Sequence, residues 1–142
     1  MTYLLIFVVV FVALSPLLSM MPTRQQRRLA NLRQAAAISG LYVQFDAGGD
    51  EGQPREILYG CRRQRGDRSA TPGIYRLSDG DWAPSQGQWA AERVQALADL
   101  PGGVSEIRDD SGGISVIWDE TGEPEDVEAI ARVLRGMLGR NY

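Results

Sequence analysis

The stretch "SMMPTRQQRRLANLRQAA", Ser19 to Ala36, decides how the chain is laid out, because it joins a run without charge to one dense in charge. Four arginines, Arg24, Arg27, Arg28 and Arg33, fall within ten residues, whereas nothing before them carries a charged side chain. Upstream, Tyr3 to Met21 is apolar except at Ser15, Pro16 and Ser19. At ~1.5 Å per residue that run spans about 28 Å, close to the hydrocarbon thickness of a bilayer. It predicts an uncleaved transmembrane anchor over residues 1–21. A cleaved signal peptide, releasing a periplasmic or secreted domain, would need a basic n-region, and Met1 to Tyr3 offers only the amino terminus. The arginine asymmetry predicts a single-pass protein with its N-terminus outside and its C-terminal domain cytoplasmic.

Residues 22–40 read as a basic juxtamembrane helix. Thr23 and Gln26 are spaced as a capping box, in which each side chain satisfies a backbone N–H of the first turn. Leu29, Leu32 and Ala36 share one face, and Gly40 marks the stop. The arginines occupy the other faces, which suits a helix on a membrane surface or docked on the domain. A nucleic-acid arm is disfavoured, since no aromatic residue interleaves the arginines.

Composition bounds the chemistry. The chain has 142 residues and a net charge of −3, enough for one ordinary domain. All fifteen basic residues are arginine, so P-loop lysines and Schiff-base chemistry are excluded. Histidine is absent and Cys61 is the single cysteine, which removes Ser-His-Asp triads, intrachain disulfides and multi-cysteine metal sites. No cofactor is implied. Residues 22–76 hold ten arginines against five carboxylates, a charge of +5, and residues 77–142 hold five against thirteen, a charge of −8.

Residues 41–142 read as a cytoplasmic α+β domain. "LYVQF" (41–45), "EILYGC" (56–61), "IYRL" (74–77), "VSEIR" (104–108) and "ISVIW" (114–118) alternate as strands. "SDGDW" turns the chain. Ser85 and Gln88 suggest a second capping box opening a helix with Trp89, Arg93, Val94 and Leu97 on one face, closed by Pro101. Pro124, among Glu123, Glu125 and Asp126, suits a helix start, and Val127, Ile130, Ala131, Leu134, Met137 and Leu138 give its buried face. The expected domain is a predominantly antiparallel five-stranded sheet with two helices, β-ββα-ββα. It is expected to carry its own core from residue 38 onward.

"LSPLL" (14–18), "PTRQQRR" (22–28), "DLP" (99–101) and "VIWDETG" (116–122) resemble an uncharacterised family of small single-pass membrane-anchored proteins of gammaproteobacteria. That resemblance implies an anchor in a bacterial inner membrane but no activity. The N-terminal span with its "QQRR" stretch also resembles the small accessory subunit of the Sec translocon, which implies a role as an accessory component of protein translocation. The glycine-rich pattern that follows this stretch in the translocon subunit is not evident here.

The candidate contact surface joins Arg24, Arg27, Arg28 and Arg33 to the loop arginines Arg62, Arg63, Arg65 and Arg68. Against anionic lipid each would contribute about 1 kcal/mol near the surface; the alternative is a solvated loop. Cys61 reads as core despite its arginine neighbours, and the acidic clusters at 46–51 and 109–110 lack calcium-loop spacing. Expected partners are the lipid bilayer and another membrane or cytoplasmic protein. The leading expectation is a non-enzymatic interaction domain, an accessory subunit of a membrane complex; a small carboxylate-dependent enzyme is the alternative.

Overall fold

The computed structural model describes residues 1–46, 56–66 and 71–139, leaving aside the side chains of residues 17, 18 and 46. The chain divides into two compact units, Met1–Ala30 and Asn31–Tyr142. The division falls inside a helix.

The first unit holds α1, Thr2–Ser19, and the opening turns of α2, Arg24–Ile38. The expected transmembrane anchor is corrected here: among the described residues no helix is long and apolar enough to cross a membrane. Helix α1 stops after 18 residues. Its run unbroken by a polar residue or proline, Tyr3 to Leu14, is twelve residues, about 18 Å at ~1.5 Å per residue, well short of a hydrocarbon core of about 30 Å. Its last turns hold Ser15, Pro16 and Ser19, and the Ser19 hydroxyl donates to the Ser15 carbonyl at 3.2 Å. The single-pass topology and the inner-membrane location with an outward N-terminus rested on that span and fall with it. The capping box at the start of α2 is present: Thr23 N–H donates to Gln26 Oε1 at 3.0 Å, and Gln26 N–H to Thr23 Oγ1 at 3.2 Å.

The second unit is α+β. Among the described residues six strands, rather than the expected five, form one antiparallel sheet in the order β1-β2-β6-β5-β3-β4. They are β1 Tyr42–Asp46, β2 Glu56–Arg62, β3 Gly73–Ser78, β4 Asp81–Gln86, β5 Val104–Asp109 and β6 Gly113–Trp118. The extra strand is β4. Asp79 and Gly80, at φ 53° and 87°, form the tight two-residue turn whose twist matches paired strands, so Ser78 faces Asp81 and Leu77 faces Trp82. Ser85 therefore sits in a strand and caps no helix. The helix expected there shrinks to α3, Ala91–Gln95, continued by a 3-10 turn over Ala96–Asp99. Helix α4, Pro124–Met137, begins where proline's fixed φ and missing N–H are tolerated, and Asp126 accepts from Glu123 N–H at 2.8 Å.

Cross-strand partners share a face of the sheet. Tyr59, Cys61, Tyr75, Ile107, Ile114, Val116 and Trp118 line one face and are buried. Val127, Ile130 and Leu134 of α4, Leu97 and, from α2, Leu32 and Ala36 complete the core. Leu32 and Ala36 are fully buried. A domain beginning at residue 38 would lack them, which corrects the expectation that the core is complete without this helix. The opposite face carries Tyr42, Gln44, Glu56, Arg62, Arg76, Glu106 and Arg108.

Candidate functional site

The arginines grouped by sequence fall in both units. Arg24 and Arg27 are exposed on the first turns of α2, and Arg28 is half-buried there. Arg33, one turn further along, forks onto Glu120, with Nε and Nη2 both donating at 3.3 Å. Its guanidinium lies 4.9 Å from the centre of the Phe45 ring. Glu120 is buried, adopts φ 58°, and also accepts from the Tyr59 hydroxyl at 2.6 Å. A left-handed backbone at a non-glycine residue costs about 1–3 kcal/mol, which these bonds must offset. Burial first, and then the hydrogen bond to Glu120, push the Tyr59 hydroxyl well above its ordinary pKa.

The loop arginines part at the end of β2. Successive strand residues point to opposite faces, so Arg62 is exposed, 5.6 Å from the centre of the Tyr42 ring. Arg63 turns inward, its side chain only 8% exposed, and binds Asp109. Arg65 is exposed in the following turn, and Arg68 lies outside the described residues.

Asp109 holds the inward arginines together. One carboxylate oxygen accepts from Arg63 and the other from Arg93 of α3. Arg93 also donates to the Thr71 carbonyl at 3.3 Å and stacks 4.5 Å from the Trp89 ring centre. Trp89 is fixed in turn: its indole N–H donates to Thr71 O, its backbone N–H donates to the Tyr75 hydroxyl, each at 2.9 Å, and its ring stacks on Tyr75 at 4.5 Å. Two cations on one carboxylate leave the cluster with net positive charge.

Arg93 is also the head of a groove of about 670 Å³ between α3 with its 3-10 turn and α4. Ala96, Ala129, Val133 and Met137 give it an apolar floor, while Glu92, Asp99, Arg93 and Arg132 supply both signs of charge. The sequence reading missed this groove. Its only trace is a second stripe on α4, where Ala129, Arg132, Val133 and Gly136 follow helical spacing beside the core stripe.

The buried carboxylates share a feature. Asp109 is gripped by Arg63 and Arg93, Glu106 by Arg76 and Arg108, and Glu120 by Arg33. For Glu106, burial works to raise the pKa, but the hydrogen bonds from Arg76 and Arg108 outweigh it and hold the carboxyl below its ordinary range. Among the described residues no group of three or more cysteine, aspartate or glutamate side chains is placed to hold a metal ion. Compared with family models, curated proteins and solved structures, the chain finds no match, so nothing there bears on the resemblances seen in the sequence.

Proposed function

We propose that the second unit is a non-enzymatic protein-interaction domain, a component of a larger assembly, and that it takes a short helical segment of its partner into the groove between α3 and α4. The carrying observation is the composition of that groove: an apolar floor of small and flexible side chains flanked by Glu92, Asp99, Arg93 and Arg132. Methionine and arginine are favoured at interfaces, and a groove between helices is a common seat for an amphipathic helix. The complementary segment carries small or apolar residues at helical spacing, with acids facing Arg93 and Arg132 and bases facing Glu92 and Asp99. A further support is that the buried Glu106 is held below its ordinary range by Arg76 and Arg108, whereas a general acid needs a raised pKa.

The test uses the full chain, tagged and purified from the cells that produce it. Arg132→Glu reverses one rim charge and Ala129→Trp fills the floor, while Ser78→Glu alters an exposed residue on another part of the sheet. A protein held by the parent and by Ser78→Glu should fall about tenfold or more with both groove variants, the scale of a lost charge pair or anchor contact. Equal recovery with all four chains would overturn the reading.

A further inference from the structure

The two edges of the sheet are built differently. Strand β4 is blunted as an edge: Pro84 removes a backbone donor, and the register slips between Ile74 and Tyr75. Strand β1 has neither device. Its five residues contain no proline or arginine and pair with β2 from Tyr42↔Gly60 to Asp46↔Glu56 without a slip. An undisturbed edge presents a regular row of backbone donors and acceptors on its outer side. The edge also keeps apolar surface: Phe45 is 50% exposed.

We propose that β1 pairs antiparallel with β1 of a second copy of this chain, about a two-fold axis through Gln44, independently of the groove. Strand alternation then sets what meets what. On the core side, Val43 of each copy faces Phe45 of the other, and aromatic to β-branched pairs are favourable across strands. On the opposite side Gln44 meets its own counterpart and position 46 falls across from Tyr42. Arg33, beside Phe45, brings no unbalanced cation to the axis because Glu120 neutralises it. The axis stands perpendicular to the sheet, so the helices of both copies stay on one side and the sheets join into one. A single strand from each copy is a small interface, and the dimer forms reversibly with concentration.

The full chain carrying Gln44→Cys, mildly oxidised, should give a disulfide joining the two copies through position 44, because an isologous axis brings that residue against itself. Gln86→Cys, an exposed position on β4, should not cross-link. The amides of β1 in the parent should exchange with solvent about tenfold more slowly in concentrated than in dilute solution, and Gln44→Arg should abolish that dependence. Cross-linking at 86 as efficient as at 44 would mean association elsewhere on the chain and would overturn the proposal. So would β1 exchange rates that are indifferent to concentration, a result that does not depend on any variant folding.

Discussion

Strand β5 presents the same device on each face of the sheet. On the core side Asp109 is clamped by Arg63 and Arg93; on the other, three residues back, Glu106 is clamped by Arg76 and Arg108. Both carboxylates are buried, but the cations differ: Arg63 and Arg93 are 8% and 19% exposed, Arg76 and Arg108 62% and 28%. The bonds look alike and their consequences do not. A cation that water can reach is solvated whether or not its partner is present, so losing the pair costs little. A cation sealed with its partner has no such substitute.

The largest effect follows on the core side. Asp109→Ala leaves Arg63, 8% exposed, without a counter-charge and Arg93 with the Thr71 carbonyl, the Trp89 ring and the groove to face, and should cost about 3–5 kcal/mol in chemical denaturation. Stability near that of the parent would show that water reaches Arg63 as well. Next in size is the α2 contribution to the core. Leu32→Ala should cost about 3 kcal/mol, because Leu32 is fully buried and its loss leaves a cavity. A chain starting at residue 38 should be destabilised further, as it loses Ala36 as well.

Tyr59→Phe comes third, at about 2 kcal/mol, since it removes a hydrogen bond to the buried Glu120. The raised Tyr59 pKa gives an independent check. The unfolded tyrosine loses its proton near pH ~10, whereas the folded one keeps it beyond that. The contribution is therefore full below that pH and declines as pH rises through the alkaline range. Absorbance titration of tyrosinate should show Tyr59 ionising last in the parent, after Tyr42, whose pKa burial also raises, and Tyr59→Phe should lose the last step.

The smallest effect belongs to the open face. Arg76→Gln should shift the denaturation midpoint least of these variants. Glu106, with its lowered folded pKa, contributes stability above the ordinary carboxylate range and loses it as pH falls through the folded value. Arg76→Gln should flatten that acid limb, and an unchanged limb would mean that Arg108 alone holds the carboxyl down.

What was legible in the sequence was local chemistry. Thr23 with Gln26, and Pro124 with Asp126, marked helix starts because a cap is made by neighbours in the chain. Strand β4 was missed because "DWAPSQ" has little strand propensity of its own; it is held by pairing to β3 across the Asp79–Gly80 turn. The two faces of β5 were hidden for a related reason. Arg62 and Arg63 read as neighbours in one arginine loop, and at the end of β2 one faces water and the other Asp109. The apolar face of α2 read as lying on a membrane surface or docked on the domain, and its Leu32 and Ala36 fill the core of the second unit, as the second of these has it. The groove depends on how α3 and α4 lie together, which spacing along either helix does not reveal.

The central claim is that this groove receives a partner helix. It is tested most directly by placing a photo-activated cross-linking residue at Ala129, on the groove floor, and at Ala83, exposed on β4, in the full chain inside the producing cell. Position 129 should give a discrete covalent adduct with another protein, attached at a helical segment of mixed charge, that disappears with Arg132→Glu; position 83 should give none. No adduct at 129, or the same adduct at both positions, would contradict it.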